Sequence, residues 1–239
     1  TMIKYKMLSL FLYVSGFLAF IFIAALLIIS GFLFLPLFYK IDKLCCHIML
    51  SALLVLPKIK GAFPFDGTYI IMMNHSSFLD VFIFPLVPRG AWTGITAAEN
   101  FKIPIFSTII KQIQAIPIER KNRQAAFESI KQAENVLKQG IHIGILPEGT
   151  RTLDGKIKPL KKGGFHMAIN TNTPIIPVGV SGAFEFKPKN RWWMKPGLVT
   201  VNIGDPISIN DYTTLGVDGL STKVEKLLKS LSGETNENK

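Results

Sequence analysis

Two short polar stretches in an otherwise apolar chain carry side chains able to move protons and hold anions. The first is Asn74-His75-Ser76-Ser77-Phe78-Leu79-Asp80, which follows an apolar run at Thr68–Met73. An imidazole exchanges its proton near neutral pH, and a carboxylate that accepts the Nδ1 proton leaves Nε2 as a general base. On one regular helix His75 and Asp80 would stand about 140° apart, because each residue turns roughly 100°. They can meet only if His75 stays on a strand-to-helix turn, with Ser76 or Ser77 capping the helix and Asp80 reaching back from its first turns. The spacing alone also suits two residues that merely cap a helix. A serine nucleophile at Ser76 has little support, since no GxSxG elbow surrounds it.

The second stretch is Pro147-Glu148-Gly149-Thr150-Arg151, again just after an apolar run, Ile141–Leu146. Gly149 lets the backbone approach a ligand, Thr150 adds a hydroxyl, and Arg151 supplies a fork that matches phosphate. Lys156, Lys158, Lys161 and Lys162 follow, and these also read as a solvated loop. Arg120, after an Ile-Pro-Ile strand end at Ala115–Arg120, and Lys102, near Pro104, are further candidate cations for the same phosphate. In Thr173–Gly179, Pro177 inside an apolar run predicts an edge or irregular strand lining a pocket, and the run also reads as a buried sheet strand. A metal site is not expected, because His47, His75, His142 and His166 are scattered. Cys45 and Cys46 are adjacent and lack distant partners, so no disulfide framework is expected.

These residues need a frame, and the chain from Gly67 onward alternates short apolar runs with helical patterns. Strands are predicted at Thr68–Met73, Trp92–Ala97, Ile141–Leu146, Ile175–Val180 and Leu198–Ile203. Helices are predicted over Phe78–Leu86, Ile103–Gln112, Arg123–Lys138, Gly163–Asn170 and Leu220–Leu231. The pattern implies an α/β domain with a central mostly parallel or mixed sheet covered by helices on both faces.

Ahead of this domain, Met7–Tyr39 is 33 residues without a charge, too long for the apolar core of a signal peptide. As one straight helix it would measure roughly 50 Å against a hydrocarbon core of about 30 Å. A membrane-embedded helical hairpin is therefore expected, breaking near Ser30 and Gly31 and continuing through Ile41–Leu56, with a single spanning helix as the alternative. Lys4, Lys6, Lys40 and Lys43 flank the apolar run and predict that both ends lie in the cytoplasm. The expected organisation is an N-terminal anchor over 1–58 closed by Pro57 to Pro64, a catalytic domain over 59–231, and a disordered polar tail over 232–239. The chain is 49% hydrophobic and carries a net charge of +11. Such a balance suits anionic phospholipid or a phosphate-bearing substrate, and a membrane explains it without nucleic acid. Phe184–Lys195, with Lys187, Lys189, Arg191, Trp192 and Trp193, is either a second membrane contact or an ordinary surface loop.

In order and spacing, NHSSFLD, IPIER, PEGTR with KPLKKGGFHMA, and TPIIPVGV resemble the glycerophospholipid acyltransferase family, best matched by the bacterial 1-acyl-glycerol-3-phosphate acyltransferases. The resemblance spans about residues 60–205. It implies transfer of a fatty acyl chain from acyl-CoA or acyl carrier protein to the sn-2 hydroxyl of lysophosphatidic acid at the cytoplasmic membrane, without a further cofactor. It also implies that His75 and Asp80 are the catalytic pair, and that Arg120, Glu148, Gly149 and Arg151 belong to acceptor binding. The family often has a glycine and an aromatic residue before the second-block arginine, where this chain has Ala115 to Glu119. Other acceptors, such as glycerol 3-phosphate, and an acyl-thioester hydrolase using His75 on water remain open alternatives.

Overall fold

The computed structural model describes residues 2–118 and 123–234. Its strands are β1 (Val55–Lys60), β2 (Ile70–Met73), β3 (Trp92–Ala97), β4 (Ile116–Ile118), β5 (His142–Ile145), β6 (Ile175–Ser181) and β7 (Gly197–Ile203). They form one sheet in the order β1-β7-β6-β2-β5-β3-β4. The five strands from β6 to β4 run parallel, whereas β7 pairs antiparallel with β6 and parallel with β1. The expected mixed, helix-covered sheet is therefore the architecture, and the chain leaves β2, β3 and β5 at one shared rim.

The helices are α1 (Met2–Leu33), α2 (Leu35–Ala52), α3 (Asp80–Ile83), α4 (Phe106–Gln112), α5 (Arg123–Lys138), α6 (Gly163–Asn170), α7 (Ala183–Phe186) and α8 (Asn210–Ser232). Side chains alternate across a strand, so β2 feeds two cores. Ile71 and Met73 join Leu12 and Ile23 of α1 with Cys45, Met49 and Leu50 of α2. Ile70 and Met72 join Val136 of α5, Phe165 of α6 and Leu220, Val224 and Leu228 of α8, whose four-residue spacing makes one stripe. Each fully buried aliphatic of this kind contributes about 1.5–3 kcal/mol. The α1–α2 hairpin is thus one of the two layers that cover the sheet.

The hairpin turns later than the sequence predicts. Ser30 and Gly31 remain inside α1, with Ser30 Oγ donating to Leu27 O. The break falls at Phe34, in extended backbone (φ −165°, ψ 108°), and α2 restarts with Pro36 in its first turn. Proline has no N–H to offer the helix interior and is tolerated where that N–H would be orphaned, so Pro36 sets the restart. Contacts of α1 with the rest of the protein run along its length: Met194 N donates to Ser9 Oγ (2.7 Å), Ser15 Oγ to Ala52 O (2.9 Å) and Gln112 Nε2 to Ile28 O (3.0 Å). From Ser9 to Ile28 is about 28 Å of helix.

Three further expectations need correction. The stretch from Pro57, predicted to close the anchor, is largely β1, so a boundary at 58/59 falls inside a strand of the sheet. Pro57 is compatible with a strand because β1 is an edge, paired among the described residues with β7 alone. Pro177 is not at an edge: β6 lies between β2 and β7, and Pro177 pairs with Met72. It fits because the antiparallel ladder with β7 ends one residue on, at Val178–Ile203, while Pro177 O still accepts from Gly204 N (2.9 Å). Helix α8 begins ten residues before the predicted Leu220, across a kink where Gly216 takes φ 59°. Of the predicted polar tail, 235–239 lie outside the described residues.

Candidate active site

Strand β2 delivers His75 to the rim, and its neighbours hold the turn in place. Asn74 Nδ2 donates to Val180 O (2.9 Å) and Val180 N donates to Asn74 Oδ1 (2.7 Å), which ties the end of β2 to β6. His75 N donates to Glu148 Oε1 (2.6 Å), and His75 O accepts from Thr152 N (3.0 Å). Both backbone groups of His75 are therefore held by the loop after β5.

His75 Nδ1 lies 2.7 Å from Asp80 Oδ2, with the imidazole 20% exposed and the carboxylate 1% exposed. The same Oδ2 accepts from Ser76 N (2.9 Å) and Ser77 N (3.1 Å). The predicted turn geometry holds, but neither serine side chain caps the helix. Asp80 instead reaches back to tie the turn ahead of the helix, while Ser77 Oγ donates to Lys187 O (3.3 Å) and the buried Ser76 Oγ has no partner among the described residues. With Nδ1 donating to Asp80, Nε2 keeps a lone pair and can accept a proton. The amides of Ser76 and Ser77 are occupied and unsuited to an oxyanion.

In the loop after β5, Gly149 takes φ +73° and lets the chain fold back, with its N–H on Leu146 O (3.0 Å). Glu148 is buried, and its two oxygens accept from His75 N and from Lys158 N (3.0 Å). Burial pushes its carboxyl upward in pKa against those two hydrogen bonds. Thr150 Oγ1 and Arg151 O both accept from Lys158 Nζ (3.4 and 3.0 Å). That lysine braces the loop.

Arg151 stands at the rim beside a residue that the sequence does not link to it. Burial and the charges of Arg151 and Arg191 push the Lys187 ammonium down in pKa, and its Nζ lies 5.8 Å from the Phe78 ring centroid. Neither Arg151 nor Lys187 forms an ion pair among the described residues. Two neighbouring cations without a carboxylate can accept a dianion. In sequence Lys187 belongs to a stretch that suits a membrane contact or an ordinary surface loop, and nothing in a 36-residue separation signals contact with Arg151. Arg191 is committed elsewhere: its guanidinium donates to Glu185 O, Phe186 O and Trp193 O and lies 3.8 Å from the Trp193 ring centroid.

The remaining candidates divide. Lys102 is exposed in a short turn, Ala98–Lys102, after β3 and therefore on the same rim as His75. Arg120 lies outside the described residues. Pro177 packs on Gly204 within the sheet.

An apolar cavity of about 260 Å³ lies between the α1–α2 hairpin, α4 and the sheet. Phe20, Ile23, Leu27, Phe82, Ile110 and Ile113 line it, and Asp80 reaches its wall, so it abuts the His75–Asp80 pair. Gly94 and Gly144 form part of the floor, and a side chain on Gly144 would run into the Phe84 ring.

Residues 56–181 match the Acyltransferase family, just over half of the chain. The chain belongs to that family. The matched segment of this acyltransferase holds His75, Asp80 and Glu148–Arg151, whereas α1, α2 and Lys187 lie outside it. Its relatives include a 1-acyl-sn-glycerol-3-phosphate acyltransferase of Cocos nucifera, 36% identical over 60% of this chain and 47% of the relative. Another, the alpha form of Mus musculus, is 28% identical over 74% of this chain and 64% of its own. The acyltransferase thus spans about half of the coconut relative. The crystal structure of the 1-acyl-sn-glycerophosphate (LPA) acyltransferase PlsC from Thermotoga maritima superposes with a TM-score of 0.84 at 25% identity. That match covers 98% of this chain and 99% of the other.

Proposed function

We propose that this acyltransferase moves a fatty acyl group from an acyl thioester to the sn-2 hydroxyl of 1-acyl-glycerol 3-phosphate, giving phosphatidic acid. The observation that carries the reading is the 2.7 Å His75–Asp80 contact set between an apolar cavity and an unpaired cation pair. A thioester's chain fits the cavity, and an acceptor's phosphate fits Arg151 with Lys187; Arg120 and Lys102 are further candidates for it. Names borne by the relatives support the same reaction.

His75 Nε2 takes the hydroxyl proton as the acceptor oxygen bonds to the thioester carbonyl carbon. Asp80 holds the ring and stabilises the imidazolium. The carbon–sulfur bond then breaks, and the imidazolium returns its proton to the departing thiolate. His75 is the catalytic residue, and Asp80 and Glu148 are positioning residues, the latter acting through the backbone of His75. Thr150 and Gly149 shape the loop that presents Arg151. Acyl-CoA or acyl carrier protein supplies the thioester.

The membrane position follows from α1. Among the described residues it is the one helix long and apolar enough to cross a membrane. Yet it stays against the protein for about 28 Å while Leu10, Phe11, Phe17, Leu18 and Phe22 face outward. This supports a hairpin lying in one leaflet on the cytoplasmic side rather than a crossing helix. Trp192, 50% exposed, sits beside it because Tyr13 OH donates to Trp192 O, and Tyr5 stacks on Trp193.

An acceptor panel in detergent, read by product mass, tests the proposal. Phosphatidic acid from lysophosphatidic acid is expected, whereas thioester consumption that ignores the acceptor would leave a hydrolase.

A further inference from the structure

The wall of the apolar cavity carries a polar patch that acyl transfer as described above does not use. Asp42 of α2 and Trp92 of β3 both line the cavity. Asp42 is 5% exposed, and Oδ1 receives only a weak bond from Cys46 Sγ at 3.7 Å. Among the described residues Oδ2 has no partner within hydrogen-bond distance. The indole Nε1 of Trp92 on the same wall also lacks a full hydrogen bond, though it stands near enough to draw the Asp42 carboxyl's pKa down. Lys43 does not pair with the carboxyl, since its Nζ donates to Pro88 O (2.6 Å). Burial holds the Asp42 carboxyl up at about 7.

Buried polar groups without partners are costly, and apolar residues at these positions would make a better slot for hydrocarbon. Two such groups on one stretch of wall, Asp42 Oδ2 and Trp92 Nε1, fit a small substituent able to donate and accept at once. A hydroxyl does both: its hydrogen meets Asp42 Oδ2, and its oxygen accepts from Trp92. A double bond or a plain methylene would leave both groups unanswered.

We propose that Asp42, with Trp92, binds a hydroxyl group carried on the acyl chain, so that this acyltransferase prefers hydroxylated acyl thioesters. The inference rests on the assignment of the cavity to the acyl chain. The position of the hydroxyl along the chain is to be read from the preference itself.

The full-length protein in detergent would be given lysophosphatidic acid and acyl-CoA donors of one length, plain or hydroxylated at successive carbons. Wild type is expected to favour one hydroxyl position by about tenfold in kcat/KM, the effect of a single hydrogen bond to a charged or polar partner in a dry site. Asp42→Asn should keep most of that ratio, and Asp42→Leu should bring it close to one. Equal rates from all donors, or a ratio indifferent to Asp42→Leu, would overturn the inference and leave the proposed reaction intact, with Asp42 and Trp92 holding ordered water only. Failure to transfer from any donor would count against the proposed reaction. The inference would then be decided by whether free hydroxylated fatty acids raise Tm more than plain ones in wild type but not in Asp42→Leu.

Discussion

At the scale of single residues, the site depends on a few hydrogen bonds that join segments distant in sequence. Glu148 is the clearest case: both its oxygens serve backbone amides, so its role is to hold the turn that carries His75. Glu148→Gln turns one acceptor into a donor. It is expected to lower kcat by about ten- to a hundredfold while the acceptor KM stays within a few-fold, since leaving a buried donor unsatisfied costs about 1–3 kcal/mol. A rise confined to the acceptor KM would instead place Glu148 on the ligand. Lys187→Ala should do the opposite, raising the acceptor KM by about tenfold or more through loss of one charge-assisted bond, with little change in kcat. The sequence made the His75–Asp80 pair legible because both partners lie within one turn of chain. It could not show that Glu148 faces His75 N across 73 residues, or that Lys187 faces Arg151, because such contacts are set by the parallel pairing of β2 with β5 and β6.

At the scale of elements, the N-terminal hairpin is part of the fold. Cys45, Met49 and Leu50 of α2 are buried against the sheet, and Leu12 of α1 is fully covered. Removing Met2–Leu33 is therefore expected to yield aggregated protein rather than a soluble domain, as read by size-exclusion chromatography in detergent-free buffer. A monodisperse, folded truncation would contradict this. Long apolar runs and regular helical stripes were legible in the sequence, as Arg123–Lys138 and Gly163–Asn170 show. Strand β1 was not, because Val55-Leu56-Pro57-Lys58-Ile59-Lys60 mixes proline and lysine as an exposed edge does, and that composition reads as a linker. At Pro177 the buried strand was legible and its central place in the sheet was not, since proline excludes a strand only where its missing N–H would face a ladder. The raised carboxyl of Asp42 adds a pH test. Between about 4 and about 7 the folded chain keeps a proton that the unfolded chain has released, so this group's stabilisation is lost as pH rises through about 7. Tm should fall between pH 5 and 8 in wild type and fall less in Asp42→Asn; parallel curves would exclude Asp42 as the source.

At the scale of the whole molecule, the outward apolar residues of α1, exposed Trp192 and the chain's net charge of +11 are compatible with the proposed membrane association. Lys189 is exposed in the same stretch as Trp192 and is free of the structural bonds that hold Arg191. Lys189→Glu is expected to weaken binding to anionic vesicles by several-fold, at about 1 kcal/mol per cation, and to leave neutral vesicles unaffected. Equal loss on both would point to damaged folding. With the hairpin in one leaflet, a lipid acceptor and an acyl chain would both reach the rim from the membrane side, where β2, β3 and β5 end. The central claim is that His75 activates the acceptor hydroxyl against a thioester. It is tested most directly by the mass of product formed from lysophosphatidic acid and acyl-CoA by wild type and His75→Ala at equal fold content. The account predicts phosphatidic acid from wild type and a loss of about 10²- to 10⁴-fold in the variant. Full activity in His75→Ala, or free fatty acid in place of phosphatidic acid, would contradict it.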